Sequence, residues 1–403
     1  MAERAGVVIV GAGPAGSATA IHLARAGHAV TLIDRARFPR EKACSEYLSP
    51  ETVRHLATLG VLDALDAHGG TALEGTRVRA AHGASLIGRF ADAGGSPFRA
   101  TGLAMPRRIL DATLLDAARV AGVTVHEETT LRVLSGMNAH GRTVTLEDAA
   151  GARHDVQARC VVGADGLRSV VARQAGLHRQ GWLKRVAFVA HVEGVTGLGR
   201  VAEMHVGKTG YVGLNSLGHG IANVALVVPA ALAAQARGDA AAFFHQQLEQ
   251  LPGVRGRVDP ARTVREVMVT GPFAASSRRS TADGLLLVGD AADFFDPFTG
   301  EGVCSALAGA AFAAETLDEA LRASGPVTAA RLTSYRHARR RAFLGKWIVE
   351  RLIGYAMLSP RLFDRAVARL DRRGMADTLI GVTGDFVSPW RVVNPWFLGR
   401  MVV

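Results

Sequence analysis

Three glycines and one carboxylate carry the first sign of chemistry in this chain of 403 residues. Gly11, Gly13 and Gly16 stand at the spacing GxGxxG, with Ala15 inside it, directly after the apolar run Val7-Val8-Ile9-Val10. The first glycine allows a tight turn, the second lets the backbone approach a pyrophosphate, and the third lets a helix pack closely on the strand before it. A helix beginning here presents free N–H groups and the positive end of its dipole to phosphates. Asp34 closes the next apolar run, Ala29 to Ile33, with Arg35 beside it. An acid roughly 20 residues after the glycines suits a ribose hydroxyl. The chemistry predicted is binding of a dinucleotide.

Other reactive side chains are sparse. Cys44, Cys160 and Cys304 are the only cysteines. They are too few for a disulfide framework and too far apart for a zinc site, so a reducing cytoplasm and no metal are expected. Cys44 lies in the polar loop Phe38–Pro50 and Cys304 at the start of the long alanine-rich helix; both are candidates for a redox or proton-donating role, and as small packed residues both would be inert. Tyr47 follows in the same loop. Tyr211 and Asn215, with Trp182 and His191, fall near strand-like runs and are candidate substrate contacts, although core packing explains them equally well.

Elements must hold these residues in place. The glycine loop opens a helix over Ser17–Ala26, stopped by Gly27. Ser49 and Pro50 read as N-cap and first turn of a second helix, with the spacing of Val53, Leu56, Leu59, Leu62 and Leu65 continuing it to 65. Short strands with glycine turns fill 71–104, a helix follows Pro106, and Val123–Glu127, Thr130–Leu134, Thr143–Leu146 and Val156–Val162 alternate like meander strands. The last ends in Gly163-Ala164-Asp165-Gly166. Long strand patterns occupy 182–228, then a helix over 230–251 with a weak point at Gly238, then a strand over 262–269. Leu285-Leu286-Leu287-Val288 runs into Gly289-Asp290, and Pro297-Phe298-Thr299-Gly300-Glu301-Gly302 leads into a long alanine-rich helix from Val303. The C-terminal third is helical and basic.

Composition narrows the class. Hydrophobic residues make up 48% and charged residues 21%, enough for a large core and against disorder. The early N-terminus reads as a strand and turn rather than a signal peptide, and no uncharged apolar stretch of about 18 residues predicts a membrane span. Net charge is +11, with a cluster at His337-Ala338-Arg339-Arg340-Arg341. No recognition motif or interleaved aromatics accompany it, so nucleic acid is not an expected partner. A solvated helix face, or attraction to anionic lipids or an acidic carrier protein, accounts for the excess.

The order of the three motifs resembles the FAD-dependent monooxygenases of the aromatic-hydroxylase type, and Pro297–Gly302 most resembles the geranylgeranyl reductase group of the same superfamily. The similarity covers residues 1 to about 320. It implies an α/β fold: a Rossmann-like FAD-binding domain of the glutathione-reductase type (1–70, 101–180 and 275–325) interleaved with a mixed β-sheet substrate domain (71–100 and 181–274), plus a helical C-terminal region and apolar tail (326–403). It implies that Gly11, Gly13, Ala15, Gly16, Asp34, Arg107, Asp165, Gly289 and Asp290 bind FAD, with Asp165 contributing to nicotinamide binding as well; Arg35, with Arg37 and Arg40, would attract nicotinamide phosphates or form a solvated loop. Gly300, Gly302 and Val303 would face the flavin from a helix N-terminus, whose dipole favours the reduced anionic ring. Cys44 and Pro297 are the catalytic candidates, and Tyr47, Tyr211 and Asn215 the substrate contacts. The reductase group's Cys-Gly-Asp-Gly-Leu run is replaced by Cys44-Ser45-Glu46-Tyr47-Leu48, so the substrate space near the flavin differs. Asp293 stands where many hydroxylases have His, and the paired tryptophans of halogenases are absent.

The leading expectation is a monooxygenase of secondary metabolism, acting through a C4a-hydroperoxyflavin on an aromatic or polyketide-like small molecule. A C=C reductase or dehydrogenase of an isoprenoid or lipid is the alternative, and a non-catalytic lipid-binding protein the remote one. With a single dinucleotide signature, electrons come from transiently bound NAD(P)H or from a flavin reductase. Peripheral membrane contact fits the basic surface and the apolar tail.

Overall fold

The computed structural model describes residues 3–402 apart from residue 237. Its first strand, Glu3–Val10, is the spine of an eight-stranded sheet. It runs parallel to Arg153–Gly163 on one side and to Val30–Ile33 on the other. Parallel order continues outward to Leu285–Leu287 and to Thr124–His126. Val7 and Ile9 enter one core cluster and Val8 and Val10 another, so both faces are covered. That double burial is why the run is continuously apolar rather than alternating. Thr130–Asn138 and Gly141–Glu147 pair antiparallel beside Arg153–Gly163 as a flange. Thr124–His126, predicted as a meander strand, is instead a parallel edge strand.

Helix Pro14–Arg25 takes Gly13 as its N-cap and packs its alanine face on Gly302–Arg322, where Ala18, Ala310, Ala313 and Ala314 are all buried. Small side chains on both helices permit this close approach. Ser49 caps Pro50–Thr58 by accepting from Thr52 N at 3.3 Å. The predicted single helix over 52–65 is two helices, because Gly60 adopts φ +73° and a second helix starts at Leu62. Residues 230–251 break in the same manner at Gly238, φ +92°, after which Asp239 caps Ala240–Glu249.

The second sheet has seven strands in the order Thr263–Thr270, Arg185–Glu193, Ile221–Pro229, Tyr211–Gly218, Val201–Val206, Gly75–Arg79 and Ser85–Arg89. One face packs on Phe243, Phe244 and Leu248 of helix Ala240–Glu249. The other carries Ala187, Val189, Tyr211, Ala225 and Val227 toward the C-terminal helices Thr333–Ala356 and Pro360–Arg372. Thr71–Leu73 does not join this sheet; it pairs with Gly102–Ala104, which also pairs with Tyr47–Leu48. The C-terminal region starts inside the first core, where Val327, Leu332 and Tyr335 are buried and Tyr335 Oη donates to Leu287 O at 2.7 Å. Among the described residues no helix is long and apolar enough to cross a membrane.

Candidate active site

The glycine turn divides into two structural positions and one open one. Gly11 has φ +104°, and a Cβ there would lie 2.5 Å from Ala164 O. A Cβ on Gly16 would lie 1.8 Å from Gly11 O. Gly13 is extended, and a Cβ there would meet only Arg40 Nη2 at 3.7 Å and Arg107 Nη2 at 3.9 Å. Open space therefore touches the backbone at Gly13, between two guanidinium groups and at the start of a helix. Asp34 braces the turn by accepting from Ala12 N at 2.8 Å and Ala36 N at 2.9 Å.

Gly13 opens onto a cavity enclosing about 1150 Å³ of non-atom space, its mouth included. One end is lined by Gly13, Ala15, Lys42, Arg107, Gly289 and Asp290. Arg107 is buried and bidentate to Asp111 at 2.7 and 2.8 Å, and Arg40 reaches the same carboxylate at 3.0 Å. Lys42 is held below the usual lysine range by burial first and then by Arg107 and Arg40; burial pushes Asp290 up. Three cations thus crowd a cavity end next to a helix N-terminus, an arrangement that an anion with several oxygens would relieve. Asp165 accepts from Val170 N and Val171 N at 2.6 and 3.1 Å, while its Oδ1 is buried with no partner. Asp165 itself is not in the cavity lining, although its neighbours Ala164 and Gly166 are. Gly300, Gly302 and Val303 reach the cavity from the start of helix Gly302–Arg322.

The other end is apolar: Ala187, Val189, Ala225 and Val227 from the second sheet, closed by Phe273 and Phe294. Tyr211 turns its ring to this space while its hydroxyl donates to Asp296 at 2.6 Å. Asp296 is buried, bonded to Arg185 Nη1 at 2.7 Å, and starts the Pro297–Thr299 turn by accepting from Phe298 N. Burial and then the charge of Asp296 push the Tyr211 hydroxyl well above the usual tyrosine range. It therefore remains a committed donor. Pro297 lines the cavity as wall, with no proton to transfer.

Cys44 and Ser45 line the cavity between its two ends. Glu46 behind them is fully buried at φ +54°, and its carboxylate accepts from Arg107 N at 3.0 Å and bonds His191 Nε2 at 2.6 Å and Arg265 Nη1 at 3.4 Å. Asn223 Nδ2 donates to Ser45 O at 2.9 Å. One carboxylate and one amide thus clamp the loop that carries the thiol.

Of the residues singled out from the sequence, Gly13, Ala15, Cys44, Arg107, Gly289 and Asp290 meet at the cavity, with Tyr211, Pro297, Gly300, Gly302 and Val303. The structure does not bring Tyr47 or Asn215 to it. The Tyr47 ring packs behind Gly300 in a separate small core, and Asn215 is buried opposite Asn223. Arg35 is exposed and outside the lining. Arg339, read as part of a solvated basic face, turns inward to Asp293. Lys42, Glu46 and Asp296 were not foreseen; a lysine in the loop after Asp34 is the one local signal among them.

A protein-family model described as FAD binding domain matches residues 4–346. The chain belongs to the FAD-binding domain family. It is 31% identical over 350 residues to menaquinone reductase of Mycolicibacterium smegmatis, covering 81% of this chain and 78% of that protein. It is 32% identical over 331 residues to digeranylgeranylglycerophospholipid reductase 2 of Methanopyrus kandleri, covering 78% of each. Among solved structures, the flavin-dependent halogenase CmlS superposes with a TM-score of 0.75 at 25% identity, over 86% of this chain and 63% of that one. The protein is an FAD-dependent oxidoreductase with the interleaved α/β architecture of this family.

Proposed function

We propose that this flavoprotein reduces an isolated C=C bond in an apolar, isoprenoid-like substrate, with NAD(P)H or a flavin reductase as the source of electrons. The observation that carries the reading is the apolar end of the cavity. Its hydroxyl-bearing residues are Thr270 and Tyr211, and the Tyr211 hydroxyl is committed to Asp296. Hydroxylation of a phenol needs a base to ionise the ring, and that end holds no carboxylate or imidazole in its lining. An unactivated hydrocarbon needs none. The reductases named above support the same reading, and the halogenase likeness adds the shared fold without the paired tryptophans.

In this reading Gly13, Lys42 and Arg107 hold the FAD diphosphate, and Asp290 takes ribityl hydroxyls. FAD held by these residues would supply, when reduced, the hydride that an alkene carbon needs. The Cys44 thiol donates the proton to the other carbon and is reprotonated from solvent, while the Glu46 clamp keeps it over the substrate. The sheet and Phe273 exclude water.

The test incubates FAD-loaded, dithionite-reduced protein anaerobically with geranylgeraniol and reads products by mass. A gain of about 2 Da per reduced bond is expected, falling about 100-fold or more in Cys44→Ser with FAD content unchanged. A product heavier by about 16 Da in air, with none formed anaerobically, would instead establish the monooxygenase.

A further inference from the structure

The C-terminal helices present an apolar face that the fold does not cover. Trp182 is 67% exposed, and Leu358 and Leu362 are each 53% exposed. Leu352 and Tyr355 are exposed beside them on the last two turns of helix Thr333–Ala356. Trp182 stacks on Tyr355 with ring centroids 5.7 Å apart and planes 10° apart, so the two rings form one slab although 173 positions separate them. Helix Pro360–Arg372 has already buried Phe363, Val367 and Leu370 inward. Leu362 is thus an outward apolar residue on a helix whose core stripe is complete.

The exposed charge around this face is predominantly positive. Residues 336–373 contain eleven Lys and Arg against three acids. Arg351, Arg361, Arg365 and Arg372 are exposed, and Lys184 is exposed two positions after Trp182. Of the cations, Arg339 and Lys346 are buried in ion pairs; of the acids, Glu350 faces the protein interior beside Lys346, Asp364 accepts from His82 N and Ala84 N, and Asp371 is exposed. Leucine and aromatic side chains surrounded by arginines match the two layers of an anionic bilayer surface, acyl boundary and headgroups. A second copy of this chain would bring the same positive charges together. The face also joins the cavity wall: Tyr355 packs edge-on to Phe295 at 5.9 Å, between cavity-lining Phe294 and the Asp296–Pro297 pair. Arg185 bonds Asp296 and Gly354 O at once.

We infer that this face docks the protein on an anionic lipid bilayer, with Trp182, Leu358 and Leu362 entering the headgroup boundary and Arg351, Arg361 and Arg365 engaging lipid phosphates. Docking stands independently of the reaction proposed above, and it orients the Phe294–Pro297 side of the cavity toward the lipid.

The experiment is flotation of the FAD-loaded protein with vesicles of phosphatidylcholine alone or with about 30% phosphatidylglycerol. Binding to the anionic vesicles is expected to be at least tenfold tighter than to the neutral ones and to weaken with salt. Leu358→Glu/Leu362→Glu and, separately, Arg361→Glu/Arg365→Glu are each expected to weaken it at least tenfold, with far-UV circular dichroism and FAD content retained. The charge-reversed pair alters two exposed side chains and keeps the test valid should the leucine pair misfold. Absence of binding, equal binding to both vesicle types, or binding untouched by both variants would overturn the inference. A dimer in light scattering that the leucine variant dissociates would assign the face to a second copy instead.

Discussion

Gly13→Ala and Gly16→Ala differ by one methyl group each and should fail in opposite ways. Gly13 lies at φ −76° and ψ −175°, an extended conformation open to alanine, and its Cβ would have no atom within 3.7 Å. The fold then loses only the preference of an N-cap for glycine over alanine, ~1 kcal/mol or less. For a chain of this size that lowers the apoprotein melting temperature by no more than a few degrees. The methyl group, however, occupies the space in front of the first N–H groups of helix Pro14–Arg25, between Arg40 and Arg107. Keeping a diphosphate oxygen from one charge-assisted bond costs about 1.5–3 kcal/mol, so FAD affinity should fall by about tenfold to about 150-fold. At Gly16 the Cβ would stand 1.8 Å from a backbone carbonyl that is itself fixed by the turn. Strand and helix must separate, at a cost of ~3 kcal/mol or more, and the apoprotein itself should be destabilised. Apoprotein melting by circular dichroism and FAD titration by fluorescence quenching read the two quantities separately. Wild-type FAD affinity in Gly13→Ala would refute the placement of the diphosphate at this turn.

Two further outcomes follow from buried charge. Burial raises the Glu203 carboxyl, but the bonds from His205 and Arg257 outweigh it and hold the group down to about 2, against an ordinary 4.5. A depressed carboxylate stabilises the fold above its unfolded value and loses that contribution as pH falls from about 4.5 toward 2, worth ~3 kcal/mol by the size of the shift. Urea unfolding of Glu203→Gln should therefore show the deficit at pH 7 and converge with the wild type near pH 2; a deficit constant with pH would exclude the linkage. Asp296→Asn leaves Arg185 buried beside a neutral partner and should cost about 3–5 kcal/mol, whereas Tyr211→Phe leaves the ion pair intact and should cost about 1–2 kcal/mol. Unfolding midpoints in the reverse order would mean that the hydroxyl, not the charge pair, holds the Pro297–Thr299 turn.

The parts of the fold legible from sequence were those whose physics is local. A glycine turn needs glycines at fixed offsets, and Ser49-Pro50 opens a helix whatever surrounds it, so both were readable without a structure. The helix break at Gly238 stood out as a weak point, but the one at Gly60 was harder, since an apolar period continues across it and only the left-handed backbone ends it. The loop clamp was out of reach. Glu46 meets Arg107, His191 and Arg265 across 61, 145 and 219 positions, and Asp296 meets Arg185 and Tyr211 across 111 and 85. Tyr47 failed for a different reason. In a two-residue strand the choice of face rests on pairing register alone, and pairing with Ala104 turns the ring behind Gly300.

Asn215 shows where periodicity stops being informative. Tyr211, Gly213 and Asn215 share one face of their strand by alternation, so all three are equal candidates from sequence. Their cross-strand partners separate them. Tyr211 pairs with Val227 and Gly213 with Ala225, the rows that floor the cavity. Asn215 pairs with Asn223, whose neighbour in the next strand is His191, itself opposite Arg265. That polar row is the one the Ser45–Glu46 segment covers, through Asn223 Nδ2 donating to Ser45 O and through the Glu46 carboxylate to His191 and Arg265. The face of the sheet is set by a period of two within one strand; the row that stays open is set by a loop that binds three other strands. Under the function proposed above, loosening the Glu46 clamp would lengthen the apolar slot by a row with a polar end, so the clamp residues would bound the substrate's reach together with those that line the cavity.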